Sequence, residues 1–275
     1  MSDTPPYRII RPPKGWWSVN WSEIWRYREL LYFLAWRDVK VRYKQTVLGV
    51  LWAFIQPFVQ IVVFSVIFGR FARMDSEGLP YPVFASAGLL PWQFFSETLN
   101  RSSTSMLQSA GLVTKVYFPR LIIPIAAAGG CLVDFAVSLS ILAGLMAYYG
   151  VVPGVSAVLL VPLICLTLVA ALGGGILLSA LTVSYRDFRY LIPLCLQVWL
   201  YMTPVVYPAR VVPAGWRELL FVNPMAGLVE GYRSALLGTP LIWSRWIAAA
   251  VSACFLFGLG VAVFQSREKA FADVI

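Results

Sequence analysis

The hydrophobic residues of this chain form long runs that short polar segments separate. From residue 48 to residue 69, 22 consecutive residues carry no charged side chain. A helix of about 20 residues is long enough to cross the hydrocarbon core of a bilayer. Similar runs predict an all-α integral membrane protein with one transmembrane domain over residues 48–264 and a tail at 265–275. The six predicted spans are at about residues 48–69, 83–107, 121–148, 156–183, 190–207 and 246–264.

The segment before the first span predicts an amphipathic helix over residues 21–46 that lies on the membrane surface. Its apolar side chains recur at spacings of three and four, at Ile24, Tyr27, Leu31 and Leu34. The alternative is a helix that packs on the protein itself. Residues 1–20 contain four prolines and no periodicity, so residues 1–47 are expected to form a cytoplasmic lead and this interfacial helix.

The stretch at residues 208–243 is too polar to span a bilayer and too apolar for an ordinary loop. Prolines break it, and an apolar helical face then follows at Met225, Leu228, Val229, Tyr232 and Leu236. Irregular backbone at membrane depth is tolerated only against protein or a water-filled path. We therefore predict two short re-entrant helices on the periplasmic side before the last span.

The distribution of cations predicts the orientation. With six spans, 16 of the 22 Lys and Arg residues lie on the side of the termini and six on the other. Loops rich in Lys and Arg stay in the cytoplasm, so both termini are predicted to be cytoplasmic. The same bias explains the net charge of +9 without nucleic acid as a partner.

The composition narrows the possible chemistry. Hydrophobic residues make up 59% of the chain, charged residues only 13%, and there is no histidine, which excludes histidine-based catalysis. The four cysteines stand singly in apolar runs, and no GxxxxGK[ST] phosphate loop is present. We predict no catalytic residue, no metal site and no cofactor bound by this chain.

Three carboxylates, Glu97, Asp134 and Glu230, lie at predicted membrane depth. Ionisable groups at this depth are functional candidates by default. A structural explanation is equally open, since Glu97 is one helical turn from Arg101 and Asp134 is placed to accept a hydrogen bond from another helix. The polar second half of the second predicted span must face water, a partner or the cytoplasm.

Aromatic side chains are abundant, and most lie near span ends, where they anchor membrane proteins. A smaller group lies beside prolines within the spans. Aromatic faces stack on the C–H faces of sugar rings, so this group is a candidate path for a glycan, with core packing as the alternative. Its members are Trp52, Phe54, Phe58, Trp92, Phe94, Phe95, Trp199 and Tyr201.

Several motifs resemble, in order along the chain, those of ABC-2 type polysaccharide export permeases. They are RDVKVRYK at 37–44, LG and LW at 48–49 and 51–52, GLLPW and FF at 88–92 and 94–95, KVYFPR at 115–120, YRD at 185–187, TPV at 203–205, NPM at 223–225 and YR at 232–233. Each motif is short, but the ordered set covers about residues 30 to 240. The pattern resembles permeases for lipopolysaccharide O-antigen, capsule and teichoic acid.

The resemblance implies a permease subunit, not itself an enzyme, in the bacterial inner membrane among membrane lipids. It implies a homodimer with two copies of a separate ATPase subunit that binds ATP and Mg. The cargo would be a lipid-linked polysaccharide, most simply O-antigen, exported from cytoplasm to periplasm. An ABC-2 exporter of a lipid or drug and, less favoured, a polytopic membrane transferase are the alternatives.

The resemblance also implies two sets of site residues. Residues 109–118 look like a coupling helix that docks on the ATPase, with Ser109, Leu112, Lys115, Val116, Tyr117 and Phe118 as candidates. The cytoplasmic entrance would place Arg37, Lys40, Arg42 and Lys44 where the pyrophosphate of a lipid-linked sugar arrives. The positive-inside bias alone is the simpler explanation of these four cations.

Overall fold

A computed structural model of the chain describes residues 21–44, 51–268 and Phe271. All regular secondary structure in these ranges is helical. The predicted lead at residues 1–20, the start of the first span at residues 48–50 and most of the predicted tail lie outside the described residues.

The helices follow the hydrophobic runs. In chain order the α-helices are α1 (Trp21–Arg26), α2 (Arg28–Lys44), α3 (Leu51–Phe64), α4 (Tyr81–Gln108), α5 (Ala110–Val113), α6 (Ile122–Tyr148), α7 (Leu160–Ser184), α8 (Phe188–Met202), α9 (Ala214–Leu220), α10 (Pro224–Leu237) and α11 (Trp243–Glu268). A π-helical segment at Ser65–Phe71 extends α3, and 3₁₀ turns at Val155–Leu159 and Ala209–Val211 precede α7 and α9.

Four helical segments are long and apolar enough to cross a membrane, and they correspond to the first, third, fourth and sixth predicted spans. They are Leu51–Phe71, Ile122–Tyr148, Val155–Ser184 and Trp243–Glu268. Helix α8 is apolar but has only 15 residues, because Thr203 adopts an extended backbone where the prediction continued the span to residue 207. The prediction of an all-α membrane protein is confirmed at this level.

Helix α4 is the centre of the molecule. Ten consecutive residues at its start, from residue 83 to residue 92, are all buried, and a helix buried all round lies inside a bundle. It packs against α6, α7 and α10. The polar second half of α4 is thus covered largely by other helices of the same chain.

Helices α7 and α11 pack with their backbones in contact at two glycines. A Cβ added at Gly260 would overlap the carbonyl oxygen of Gly173, and one added at Gly173 would lie 2.5 Å from the backbone nitrogen of Phe257. Small residues allow this close approach, which is the usual means of packing helices in a membrane.

Helices α1 and α2 correspond to the helix predicted over residues 21–46, interrupted at one residue, and residues 45–46 lie outside the described residues. The break is at Tyr27, whose N–H is shared between the carbonyls of Glu23 and Ile24, a local tightening typical of 3₁₀ geometry. The predicted apolar face packs against a cluster of side chains from α6, α7 and α11. That face therefore contacts protein, as the alternative prediction had it.

The opposite face of α2 remains aromatic and exposed. Tyr32 and Phe33 are 68% and 63% exposed. On the inner face, a Cβ added at Gly129 of α6 would lie 2.7 Å from the Cβ of Ala35, so α2 lies close along α6. The small residues at 126–130 of α6 allow this close approach.

Helix α10 is bounded by side chains that its sequence supplies. The side chain of Asn223 accepts a hydrogen bond from the N–H of Met225 at 3.0 Å, Pro224 occupies the first turn, and Gly238 ends the helix with a φ of 72°. Each residue type is favoured at its position. The predicted apolar face of α10 is buried.

The backbone between α8 and α9 is irregular and is held by two side chains. Arg233, which is 4% exposed, donates to the carbonyls of Pro204 at 2.9 Å, Val205 at 2.6 Å and Tyr207 at 3.4 Å. The hydroxyl of Tyr81 donates to the carbonyl of Val206 at 2.7 Å. Buried carbonyls without partners would be costly, so these contacts permit the irregular segment.

We predict that Gly260→Ala destabilises the protein, because the added methyl group would overlap the backbone of α7. Overpacking of this kind costs about 1–3 kcal/mol. Thermal unfolding of the purified protein should show a lower midpoint.

Gly258→Ala is the matched control, since a Cβ at Gly258 of the same helix meets no atom within 4 Å. Alanine is a better helix former than glycine by about 1 kcal/mol, so this variant should be at least as stable as the wild type. Equal midpoints for the two variants would contradict the α7–α11 contact.

Candidate functional site

Two adjoining polar cavities lie around helix α4. The larger, about 580 Å³ in volume, lies between α2, α4 and α6 and is partly open to the surface. The smaller, about 150 Å³, lies between α3, α4 and α6. Arg42 and Glu97 line both cavities, so the two form one polar tract within the bundle.

One polar face of α4 follows this tract. Gln93, Glu97, Asn100, Thr104 and Gln108 are spaced by three or four residues, which places them on the same side of the helix. Each of them lines one of the two cavities. The polar second half of the second predicted span therefore borders internal space.

A chain of charged contacts joins α2 to α4 and α6 where the cavities meet. The guanidinium of Arg42 pairs with the carboxylate of Asp134 and lies 3.9 Å from Glu97. The Nε of Arg101 donates to Glu97 at 2.6 Å, and the hydroxyl of Tyr43 donates to Asp134. Two carboxylates and two guanidinium groups thus balance their charges.

The structure shows which groups pair with the three carboxylates predicted at membrane depth. Glu97 pairs with Arg101 and Asp134 accepts from another helix, as the structural alternative predicted. Both oxygens of Glu230 accept from Arg245 at 3.2 Å. None of these three carboxylates stands without a partner.

Tyr43 acts as a hydrogen-bond donor in this cluster. Burial raises the pKa of its hydroxyl to about 12, and the neighbouring carboxylate of Asp134 adds to the rise. Both causes favour the neutral form, so Tyr43 keeps its proton throughout the physiological pH range and continues to donate to Asp134.

The four predicted entrance cations do not form one cluster. Arg42 belongs to the charged chain just described, whereas Arg37 pairs with its neighbour Asp38 at 2.8 Å. Lys40 and Lys44 are exposed. Arg37 and Arg42 line the larger cavity, and a role of any of the four in binding pyrophosphate stays a prediction.

The eight candidate aromatics separate into a buried and an exposed group. Phe94 stacks on Phe135 with ring centroids 4.7 Å apart, and Phe95 meets Trp199 edge-on at 5.2 Å. Trp92 is also buried and contacts both Phe95 and Trp199. These contacts favour the packing alternative for this group.

The exposed group consists of Trp52, Phe54, Phe58 and Tyr201. Among the described residues that line the two cavities, Phe94 is the only one of the eight. A substrate path along the whole aromatic set stays a prediction.

The amide side chains of the smaller cavity are not among the residues predicted from the sequence. Gln56 and Gln60 of α3 and Gln93 of α4 line it, and the side-chain nitrogen of Gln93 donates to the side-chain oxygen of Gln60. A signal was present, because Gln56 and Gln60 stand four residues apart in a run that otherwise contains almost only apolar side chains. The polar candidates predicted at membrane depth were charged groups, so uncharged amides were not among them.

The predicted coupling segment is only partly helical. Helix α5 covers four residues, Ala110–Val113, and turns follow. Val116 and Tyr117 are 53% and 64% exposed, and Lys115 is exposed beside them. Ser109 and Leu112 are half-buried, whereas Phe118 is buried in the cluster under α2.

The segment thus has an exposed tip, residues 114–117, and a buried anchor. Its docking role stays a prediction.

Among the described residues, no group of three or more His, Cys, Asp or Glu side chains is arranged to hold a metal ion. The cysteines at 131, 165, 195 and 254 carry free thiols. The chemistry of the site is therefore that of ion pairs, amides and hydroxyls.

Comparisons with known proteins give relatives over nearly the whole chain. The family described as ABC-2 type transporter matches residues 29–237. The O-antigen export system permease protein RfbA of Myxococcus xanthus is 30% identical over 257 residues, which cover 92% of this chain and 98% of that protein. A protein of the same name from Klebsiella pneumoniae is 26% identical over 248 residues, 90% of this chain and 95% of that protein.

A further relative is named for a different polysaccharide. The polysialic acid transport protein KpsM of Escherichia coli is 25% identical over 244 residues, which cover 85% of this chain and 92% of that protein.

We predict that Arg42→Gln loosens α2 from the bundle, because it removes the guanidinium that contacts Asp134 and Glu97. Loss of a hydrogen bond to a charged group costs about 1.5–3 kcal/mol. Hydrogen exchange of the α2 amides should therefore quicken by about tenfold or more.

Arg37→Gln is the control on the same helix, since Arg37 pairs only with the adjacent Asp38 in the described contacts. Its α2 amides should exchange as in the wild type. Similar exchange in both variants would show that the charged chain does not hold α2.

Proposed function

The chain belongs to the ABC-2 type transporter family, and on that premise we propose that it is the membrane-spanning permease subunit of an ATP-driven polysaccharide exporter. Its cargo is a lipid-linked polysaccharide, most simply an O-antigen, moved from cytoplasm to periplasm. The observation that carries this proposal is the similarity to O-antigen export permeases over 92% of the chain and 98% of the relative.

The polar tract around α4 supports transport as the role of the membrane domain. Polar side chains at membrane depth are costly and usually face a path or a partner. Here they follow one face of α4 from Gln93 to Gln108 and border about 580 Å³ of internal space in the larger cavity. A purely structural bundle has no need of such a tract.

The proposed topology has six spans, formed by α3 with its π-helical extension, α4, α6, α7, α8 and α11. Helices α9 and α10 enter the membrane from the periplasmic side and return. Both termini are cytoplasmic, which the excess of Lys and Arg on that side supports. The membrane is the bacterial inner membrane, as the relatives suggest.

The proposed complex contains two copies of this chain and two copies of a separate ATPase subunit. The ATPase binds ATP and Mg, in accordance with the missing phosphate loop in this sequence. The exposed tip at residues 114–117 docks on the ATPase, and Phe118 anchors it to the bundle. The partly apolar character and exposure of Val116 and Tyr117 support this role.

A capsular polysaccharide is the second candidate cargo. The similarity to the polysialic acid transport protein over 85% of the chain favours it. Both candidates place the chain in polysaccharide export, and they differ in the glycan that accumulates when export stops.

We predict that deletion of the gene abolishes one class of surface glycan and causes its lipid-linked precursor to accumulate in the inner membrane. A plasmid copy of the gene should reverse both effects. Glycan analysis of surface and inner-membrane fractions measures them. Unchanged amounts of every surface glycan would refute the proposed function.

We predict that Val116→Glu lowers export and uncouples ATP hydrolysis from it, because the substitution places a charge on the tip that contacts the ATPase. A central interface position contributes on the order of 1–2 kcal/mol, so export should fall by about tenfold. Export and ATPase activity of the purified complex are the two measurements.

Val152→Glu is the matched control, because Val152 is an exposed valine in the turn between α6 and α7, on the side proposed to be periplasmic. It should leave export and coupling intact. If the Val116 variant exports normally, the docking assignment of residues 114–117 is wrong.

A further inference from the structure

The smaller cavity has the hydrogen-bonding chemistry of a sugar site. Three residues with side-chain amides, Gln56, Gln60 and Gln93, line it, together with the hydroxyl-bearing residues Ser96 and Ser138. A side-chain amide both donates and accepts hydrogen bonds, as does a sugar hydroxyl. The lining can therefore both donate hydrogen bonds to the hydroxyl groups of a ligand and accept hydrogen bonds from them.

An aromatic surface completes the lining. Phe94 and Phe135 border the same cavity and stack on each other. Phe94 and Phe135 are only 3% and 4% exposed, so they offer the cavity a small apolar area beside the amides, which suits the C–H groups of a sugar ring. Amides beside an aromatic surface match a ring that is polar at its rim and apolar across its face.

The charged groups that border the cavity are already engaged with one another. Arg42 pairs with Asp134 and approaches Glu97, and Arg101 pairs with Glu97. The smaller cavity itself is lined by only one of the two cations, Arg42, and by both carboxylates. The site therefore offers an incoming anion no guanidinium group that is without a carboxylate partner.

The other guanidinium groups buried in the bundle are engaged as well. Arg233 is bound to backbone carbonyls, and Arg245 is bound to Glu230. An acidic sugar in the cavity would lie near Glu97 and Asp134 without a cation of its own. Repulsion and lost hydration would both oppose it.

We propose that this amide-lined cavity is a subsite for an uncharged sugar, and that the glycan which the chain exports has a repeat without acidic groups. The inference rests on the proposed function and deepens it, since it assigns the class of sugar and the residues that contact it. Gln56, Gln60 and Gln93 are the assigned contacts. A polyanionic glycan is excluded as cargo, so a capsular polysaccharide remains a candidate only if its repeat is uncharged.

The first test is the composition of the lipid-linked glycan that accumulates in the inner membrane of the deletion strain. Mass spectrometry of the released repeat should find neutral or N-acylated sugars without carboxylate, phosphate or sulfate groups. An acidic group in each repeat would overturn the inference and leave the export function standing. If no glycan accumulates, the proposed function itself is refuted, and the inference falls with it.

The second test separates charge from size at the cavity. The accumulated glycan is esterified at about one hydroxyl per repeat, either with succinate, which adds a carboxylate, or with butyrate, a neutral ester of the same chain length. ATP hydrolysis by the purified complex, with both subunits present, is measured against the concentration of each glycan. The wild type should require about tenfold more succinylated than butyrylated glycan for half-maximal stimulation.

Gln93→Lys should reduce this ratio to about twofold, because the new cation attracts the carboxylates. Gln197→Lys is the matched control, since Gln197 is an exposed amide of α8 outside both cavities, and it should keep the wild-type ratio. Because the readout is a ratio within one preparation, differences in folded yield do not affect it. Gln60→Lys serves as a second cavity variant if the Gln93 variant does not fold.

Two results would overturn the assignment of this cavity as a sugar subsite. One is equal stimulation of the wild type by the two esters, and the other is a wild-type ratio in the cavity variants. Either result leaves the export function untouched, provided that the unmodified glycan stimulates the complex.

Discussion

The guanidinium of Arg233 binds the backbone carbonyls of Pro204, Val205 and Tyr207, and the rest of the architecture depends on this contact. A buried backbone that leaves helical geometry needs other hydrogen-bond partners. The chain leaves helical geometry between α8 and α9. A buried arginine and the Tyr81 hydroxyl supply these partners, and α10, which carries the arginine, packs against α4 at the centre of the molecule.

The same contact explains how four motifs that are separated in the sequence come together. The side chain of Thr203 accepts a hydrogen bond from the side chain of Asn223 at 2.8 Å. Asn223 in turn caps α10, the helix that carries Arg233. Arg233 donates to the backbone carbonyls of the two residues that follow Thr203. A Cβ at Gly88 of α4 would lie 2.5 Å from the carbonyl oxygen of Val205. The motifs at 88–92, 203–205, 223–225 and 232–233 thus form one assembly around the buried half of α4.

The second half of α4 is polar, in contrast to the buried, mostly apolar first half. Its polar face borders internal space, and the charges there are paired across three helices, with Arg42 of α2 between Glu97 and Asp134. The pairing leaves amides and hydroxyls as the polar groups available to a ligand. Under the proposed function, such a surface would contact a sugar chain through many weak hydrogen bonds, so that no single contact would hold the cargo in place.

The sequence by itself determined that this is an all-α membrane protein and set the extent of most helices. It also determined which face α2 and α10 bury and, through its ordered motifs, the family. These follow from uninterrupted apolar runs, local periodicity and short-range capping. Only the tertiary structure decided that Arg42, Glu97 and Asp134 meet, that Trp92 and Phe95 pack in the core, and that three glutamines share a cavity. In a membrane helix the side that faces lipid and the side that faces protein are both apolar, so periodicity cannot assign partners between distant segments.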